Sequence, residues 1–175
     1  FMASDQNCRT NSPRVASISP RERAEHAMAS CGASALMCGG YTSNSTSGGI
    51  ALISDITGSI ECWWLTPIPV PRWDAASFVQ PGPAPSPRFG HTLTFDLSNY
   101  AVLLFGGRDA SFTMLGDCWM ITKLNSLNSS TRLYRASFQW APCGAAGASA
   151  PSPRFGHGAA VFRGALYIVG GYVSD

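Results

Sequence analysis

The sequence is poor in charged residues and lacks any long apolar stretch. Only 13% of its 175 residues are charged, the formal net charge is +2, and Lys123 is its only lysine. So small an excess of positive charge builds no phosphate-binding surface, and we expect no nucleic-acid partner. The best apolar runs, such as Ala101–Phe105, are about five residues long. A membrane-spanning helix needs roughly 18–20 apolar residues, so we expect no membrane insertion.

Cysteine pairs at metal-binding spacing are also missing. The six cysteines form no Cys-x-x-Cys motif and have no histidine nearby at ligand spacing; they are Cys8, Cys31, Cys38, Cys62, Cys118 and Cys143. We therefore expect no metal ion and no other cofactor. Because four of the six lie in apolar, strand-like runs, they are predicted to be free thiols that pack as small hydrophobic side chains.

Free thiols favour a reducing compartment. The predicted location is therefore intracellular, with the cytoplasm first and cytoskeletal or organellar sites left open. Secretion stays the alternative, because two Asn-x-Ser/Thr triplets begin at Asn44 and Asn128. Such triplets arise often by chance in loops rich in serine and threonine, whereas a disulfide would reverse the preference.

What the chain does have is internal repetition. Three histidines lie 65 and 66 residues apart, and an arginine precedes each by three residues. An apolar run ending in Gly-Gly follows each histidine after 13, 15 and 13 residues. The repeated positions are Arg23, His26, Gly39 and Gly40, then Arg88, His91, Gly106 and Gly107, then Arg154, His157, Gly170 and Gly171. Chance does not produce three copies in register.

Each copy is predicted to form a four-stranded antiparallel sheet of about 66 residues. In the second copy, the polar and apolar residues of 92–95 alternate, which indicates a strand with one better-buried face. The continuous apolar run Ala101–Phe105 indicates an inner strand covered on both sides. Two further strands are predicted at 117–122 and 133–140. The 18 glycines and 12 prolines mark the turns between such strands.

The first copy is predicted to be more compact, with strands at 50–54 and 59–65. Pro-rich stretches at 67–85 and 142–151 are interpreted as extended connectors between copies. The predicted units are an N-terminal segment 1–19 that ends a preceding sheet, a first repeat 20–80, a second repeat 81–150, and the first half of a third repeat at 151–175.

The repeated pattern resembles the kelch repeat. It combines an Arg-x-x-His start, an apolar run into Gly-Gly, an Asp-x-Trp strand ending at Trp119, and a late tryptophan, Trp140. The resemblance covers about residues 20–175 and implies an all-β fold, a kelch-type β-propeller with about two and a half blades in this segment. The first copy departs from the pattern, because Ala24-Glu25 replaces Phe-Gly and a clear Asp-x-Trp is lacking.

The recurring residues are interpreted as framework. Three histidines suggest a metal triad at first sight, but their equal spacing places one in each blade, so hydrogen-bonded structural roles are expected for them and for the repeated arginines. The double glycines would let inner strands turn where blades crowd, and Trp119 and Trp140 would supply packing between blades. At four to eight blades per propeller, a segment of this length leaves an apolar face at Leu166 to Val169 uncovered. We therefore expect it not to be stable as a lone monomer.

No catalytic constellation stands out. The chain has no Gly-x-Ser-x-Gly elbow, no paired carboxylates and no phosphate-binding Gly-rich loop. Some kelch-like propellers resemble galactose oxidase and build a copper site from tyrosine and histidine, but no matching cluster is visible. We therefore expect no enzymatic activity. The alternative is an accessory propeller of an enzyme, such as a tRNA-modifying methyltransferase-like protein, with chemistry outside this segment. A third reading is a propeller with a ligand site along its axis.

By resemblance to kelch propellers, partners would bind loops at the rim of one face. The loops after the double glycines carry the candidate partner-binding residues: Tyr41, Arg108, Asp109, Phe112, Met114 and Tyr172. Mixed charged and apolar side chains of this kind are enriched at interfaces. The alternative for Phe112 and Met114 is that they tuck under their own loop. The predicted function is a non-catalytic scaffold or adaptor for other proteins within a larger complex.

Overall fold

A computed structural model describes residues 19–43, 49–55, 57–67, 69–78, 82–127, 134–143 and 150–174. These residues form fourteen strands: β1 (Ala27–Cys31), β2 (Ser34–Cys38), β3 (Tyr41–Ser43), β4 (Ile50–Leu52), β5 (Cys62–Thr66), β6 (Arg72–Ala75), β7 (Thr92–Asp96), β8 (Ala101–Phe105), β9 (Cys118–Leu127), β10 (Tyr134–Pro142), β11 (Arg154–Phe155), β12 (Gly158–Phe162), β13 (Ala165–Val169) and β14 (Tyr172–Val173). Every pair of these strands is antiparallel, so the predicted all-β class is confirmed. No helix in this part of the chain is long and apolar enough to cross a bilayer.

The first two repeats each build a four-stranded sheet. The strand order is β1-β2-β5-β6 in the first repeat and β7-β8-β9-β10 in the second, while the third repeat contributes the pair β12-β13. These sheets lie within the predicted ranges 20–80, 81–150 and 151–175. The predicted segment 1–19 falls outside the described residues except for its last position.

The strand assignment of the first repeat differs from the prediction. Residues 50–52 do not enter the four-stranded sheet, because β4 pairs with β3 in a small separate hairpin. The fourth strand of the sheet is β6, which lies within the stretch interpreted as a connector and pairs with β5 from Thr66↔Arg72 to Trp63↔Ala75. The Pro-rich stretch therefore contains an edge strand. Proline is tolerated beside edge strands because one side of such a strand has no partner.

The longer His-to-Gly-Gly spacing of the second repeat has a local cause. β7 and β8 are joined by four residues, Leu97 to Tyr100, in which Tyr100 has a φ of 49°. The carboxylate of Asp96 accepts hydrogen bonds from the backbone N–H of Ser98 (2.9 Å) and the side-chain amide of Asn99 (2.7 Å). An Asx-type turn thus accommodates the two extra residues without disturbing the strands.

The core lies between the first and second sheets. Apolar residues of β1, β2 and β5 meet those of β7, β8, β9 and β10; they include Leu36, Cys38, Trp64, Leu93, Leu104, Phe138 and Trp140. The rings of Trp64 and Phe138 lie 5.2 Å apart across this boundary. We call the side of each sheet that faces the following repeat its trailing face, and the opposite side its leading face. β8 is largely buried on both, as its continuous apolar run predicts.

Candidate functional site

The most elaborate polar arrangement surrounds Arg88, whose side chain is 1% exposed. Its guanidinium donates to both carboxylate oxygens of Asp117, at 2.5 and 2.9 Å, and to the carbonyl oxygen of Gly106 at 3.2 Å. It also donates to the backbone and side-chain oxygens of Ser86. The indole N–H of Trp119 donates to Asp117 at 2.6 Å. We call this arrangement of arginine, carboxylate and tryptophan the clasp.

The clasp fixes the charge of Asp117. Burial alone would raise the pKa of this carboxyl, but the hydrogen bonds and charge of Arg88, together with the bond from Trp119, outweigh it and hold the pKa below its usual value. The carboxylate therefore stays ionised at neutral pH and has its oxygens occupied by donors. Such a group ties β9 to the start of the repeat and offers no proton for acid–base chemistry.

The first repeat contains the same clasp with glutamate in place of aspartate. Arg23 donates to Glu61 at 2.6 Å and to the carbonyl oxygen of Gly39 at 3.1 Å, and Trp63 donates to Glu61 at 2.8 Å. The kelch pattern has aspartate at this position, so the pattern alone does not identify the Glu-x-Trp of the first repeat as its equivalent. The signal was present in the tryptophan two residues after an acid, just before an apolar strand.

Each repeated histidine from the second repeat onward packs on the repeat before it. A Cβ placed on Gly39 would lie 2.7 Å from Cε1 of His91, and one on Gly106 would lie 3.0 Å from Cε1 of His157. The ring of His157 also meets the hydroxyl of Thr92 at 2.9 Å. Burial, followed by the charge of Arg88, lowers the pKa of His91 to about 3, and burial with the charge of Arg154 lowers that of His157. His26 is shifted in the same direction by burial and Arg23.

The described residues bring no three histidine, cysteine or acidic side chains together as metal ligands. The repeated histidines instead occupy equivalent positions in successive sheets. Backbone hydrogen bonds are equivalent at the two boundaries as well. The N–H of Gly40 donates to the carbonyl of Arg88, and the N–H of Gly107 donates to the carbonyl of Arg154, both at 2.9 Å. The Arg-x-x-His start of one repeat therefore seals the Gly-Gly turn of the previous one.

Of the candidate partner-binding residues, Tyr41 and Arg108 contact the next repeat. The ring of Tyr41 lies edge-on to Phe89 at 5.2 Å, and the guanidinium of Arg108 sits 3.2 Å from the centre of the Phe155 ring. Both residues directly follow a Gly-Gly pair, so their contacts are equivalent. Tyr172, at the same position of the third repeat, stacks on Phe155 at 5.1 Å and is exposed.

Asp109 and Phe112 belong to a tight five-residue turn. The Asp109 carboxylate accepts hydrogen bonds from the N–H groups of Ser111 (2.8 Å) and Thr113 (2.9 Å), and its carbonyl accepts one from Phe112 (3.0 Å). Phe112 has a φ of 61° and is 54% exposed. Its ring touches Phe89 edge-on at 5.8 Å, so it is only partly tucked in. Met114 is half-buried beside Arg108.

The first repeat holds the same turn without the aromatic residue. Asp55 accepts from the N–H groups of Thr57 (2.8 Å) and Ser59 (3.0 Å), and its carbonyl accepts from Gly58 (3.2 Å). Gly58 occupies the place of Phe112, with a φ of 79°. The second repeat thus presents a phenylalanine where the backbone favours glycine, at a cost of roughly 1–2 kcal/mol.

The prediction of free thiols is wrong. Cys38 is bonded to Cys62 and Cys118 to Cys143, Cys31 is also in a disulfide, and no described cysteine is free. Cys38 and Cys62 stand directly opposite each other on β2 and β5, a pairing that chain positions 24 apart do not reveal. The intracellular location predicted from free thiols loses its basis. Cys8 and the triplets at Asn44 and Asn128 lie outside the described residues.

A cavity of about 420 Å³ opens beside the first sheet, lined by residues that include Asp55, Glu61, Ser77 and Phe78. Its acids already have partners, since Asp55 caps its turn and Glu61 binds Arg23 and Trp63. Each of these acids uses one carboxylate oxygen, Oδ1 of Asp55 and Oε1 of Glu61, for the bonds that fix its side chain.

No protein-family model and no curated protein matches the chain. The kelch resemblance therefore rests on the repeated residues themselves.

Proposed function

We propose that this chain is a non-catalytic protein–protein interaction scaffold or adaptor, built from kelch-type blades of a β-propeller within a larger assembly. Its repeated arginines, histidines and acids are occupied by contacts within and between sheets, which supports a framework role for them. The turns after the double glycines, in contrast, contain exposed side chains such as Phe112 that are not fully used in these contacts.

The observation that carries this proposal is the exposed ring of Phe112. The equivalent turn of the first repeat has Gly58 at this position and forms without backbone strain. The turn itself therefore does not require an aromatic residue at positive φ, which supports a functional role for Phe112. Four backbone and carboxylate hydrogen bonds hold this turn, so the ring is presented on a rigid base. Exposed, preorganised aromatic residues are typical anchors of protein interfaces.

We place this function in an oxidising compartment and not in the cytoplasm. Two described disulfides, one in each complete repeat, support this location, since structural disulfides are rare in reducing compartments. Each involves the cysteine between the acid and the tryptophan of the clasp, Cys62 in the first repeat and Cys118 in the second.

Site-specific photocrosslinking tests the interaction. A benzophenone amino acid replaces Phe112 in one chain and Leu97, a 69% exposed hairpin residue, in a control chain. Extract from the source organism should give a crosslinked protein at position 112 that is absent at position 97. An excess of the unmodified chain should compete for it, whereas the Phe112→Gly chain should not. Equal competition by both chains would remove Phe112 from the interface.

A further inference from the structure

The cavity beside the first sheet combines an apolar wall with two acids. Its volume of about 420 Å³ lies in the range of pockets that enclose small organic ligands. Asp55 and Glu61 contribute its charge, and four apolar residues line it, namely Cys62, Ala75, Ala76 and Phe78. The ring of Phe78 lies 5.4 Å from that of Trp140 in the second sheet, so this part of the wall is held in place by packing.

The position of Ala76 has a cysteine as its equivalent in the second repeat. The N–H of Ala76 donates to the carbonyl of Cys62 at 2.9 Å. In the second repeat the N–H of Cys143 donates to the carbonyl of Cys118 at the same distance, 2.9 Å. Cys62 and Cys118 both lie between the acid and the tryptophan of the clasp, so Ala76 and Cys143 are equivalent.

The disulfides of the two repeats run to opposite sides of the strand that follows the acid. In the sheet order β1-β2-β5-β6, Cys62 on β5 is bonded to Cys38 on β2, away from β6. In the second sheet Cys118 on β9 is bonded to Cys143, which directly follows β10. The first repeat therefore has only the methyl group of Ala76 where the second has a disulfide. The cavity at this place follows from a difference between the repeats and not from their shared framework.

The two acids of the cavity differ in how their charge is balanced. Oε1 of Glu61 accepts from Arg23 and Trp63, so an arginine side chain that is 3% exposed neutralises this carboxylate. Oδ1 of Asp55 accepts hydrogen bonds from its own turn, and no cationic side chain of the described residues pairs with it. Oδ2 of Asp55 and Oε2 of Glu61 accept no hydrogen bond from any described residue. The cavity therefore offers one uncompensated negative charge and two unused acceptor oxygens.

We propose that this cavity is a binding site for a small organic cation, a primary amine attached to an apolar body. The ammonium group donates to the unused oxygens of Asp55 and Glu61, because its three N–H donors can serve two carboxylates at once. The apolar body packs on Ala75, Ala76 and Phe78. A single lysine side chain inserted from another protein would leave much of the volume unfilled, which favours a free molecule. This site is separate from Phe112 and does not depend on partner binding there.

Titration of the 175-residue chain with phenethylamine, followed through its amide NMR signals, tests the site. Phenethyl alcohol has a similar shape without the charge and serves as the ligand control. Asp55→Asn removes the charge but retains an Oδ1 that can cap the turn. Asp109→Asn is its matched control, because Asp109 caps the equivalent turn of the second repeat. Ala76→Leu fills the cavity and leaves both acids in place.

We expect phenethylamine to bind with a dissociation constant of about 1 mM or below, and phenethyl alcohol to bind about tenfold more weakly, because charge-assisted hydrogen bonds are stronger than neutral ones. Asp55→Asn should weaken binding of the amine about tenfold and leave binding of the alcohol unchanged. Asp109→Asn should change neither, and Ala76→Leu should abolish both. The dispersion of the amide signals shows that each variant is folded, and Asp55→Asn alone decides the proposal if Ala76→Leu does not fold.

Equal affinities for the amine and the alcohol overturn the proposal, as do equal effects of Asp55→Asn and Asp109→Asn. The absence of saturable binding of the amine up to about 10 mM overturns it as well. Tighter binding of the tripeptide Gly-Lys-Gly than of phenethylamine would overturn the assignment to a free amine, since the occupant would then be a lysine side chain of a partner.

Discussion

The imidazole of His91 closes over Gly39 so tightly that a Cβ on that glycine would lie 2.7 Å from Cε1 of the ring. The carbonyl oxygen of Arg88 would lie 2.6 Å from the same atom. Gly106 stands in the same relation to His157 and Arg154, at 3.0 and 2.5 Å. The absence of a side chain at the first glycine thus sets how closely consecutive sheets approach.

Replacing Gly39 by alanine should therefore weaken the boundary between the first two repeats. We expect Gly39→Ala to lower the free energy of unfolding by about 3 kcal/mol or more, because strain at its φ of 66° adds to the collision with rigid backbone. Gly58→Ala is a matched control, with a φ of 79° but open space around its Cβ. It should cost only about 1–2 kcal/mol. Urea unfolding measures both, and equal losses would contradict the packing argument.

The loss of stability on replacing the repeated arginine should depend on whether that arginine binds a carboxylate. Arg88→Lys removes the planar fork that binds Asp117 through two bonds, and we expect a loss of about 3 kcal/mol in unfolding free energy. Arg154→Lys changes an equivalent arginine that binds only serine and glycine oxygens, so its loss should stay below about 1 kcal/mol. Chemical denaturation of the two variants compares them directly.

A double-mutant cycle separates the ion pair from packing around Arg88. Asp117→Asn alone should destabilise the protein, but it should add little to Arg88→Lys, since the two residues act as one unit. Additive losses would mean that Arg88 stabilises the fold mainly through its bonds to Ser86 and Gly106.

The repeat pattern predicted the large features of the fold correctly. Registered histidines and double glycines located the sheets, and the apolar run Ala101–Phe105 identified a buried inner strand. These features are predictable because each boundary between repeats has the same packing, which requires the same residue types at the same positions of every copy. Even the departure at Ala24-Glu25 leaves the backbone unchanged, since Glu25 adopts a φ of 51° at the place of Gly90 and Gly156.

The features that were missed depend on contacts distant in the chain. The disulfide between Cys38 and Cys62 forms because β2 and β5 are neighbours in a particular register, which chain spacing does not encode. Glu61 binds Arg23 in the first repeat as Asp117 binds Arg88 in the second, an equivalence between two different acids that only the folded contacts reveal. The sequence predicts a partner-binding role for Arg108, whereas the fold brings its guanidinium onto the ring of Phe155 in the next repeat.

Stability should fall as the solution becomes mildly acidic. His91 has its pKa lowered to about 3 by burial and by Arg88, so its neutral form is favoured in the folded state. The corresponding stability is fully present above the unfolded pKa of about 6.5 and declines as pH drops toward 3, by about 2 kcal/mol between pH 7 and 5. The lowered pKa of Asp117 acts in the same direction only below about pH 4, so it does not contribute to the fall in stability between pH 7 and 5.

The variant His91→Gln isolates this effect, because glutamine does not titrate. We expect its unfolding free energy to be lower than that of the parent chain at pH 7 but to change much less between pH 7 and 5. His26 and His157, whose pKa values are also lowered, should leave a small residual slope. Urea titrations at several pH values measure the slopes, and an unchanged slope in the variant would remove His91 as their source.

The disulfides should contribute strongly to stability. Replacing Cys38 and Cys62 together by alanine removes a link between residues 24 apart in the chain, and we expect a loss of about 2–4 kcal/mol in unfolding free energy under oxidising conditions. A reducing agent should lower the unfolding free energy of the parent chain toward that of the variant, because both chains then lack this link. Alkylation without prior reduction should leave Cys38, Cys62, Cys118 and Cys143 of protein isolated from its source unlabelled. Extensive labelling of these cysteines would indicate a reducing compartment and contradict the location proposed from the disulfides.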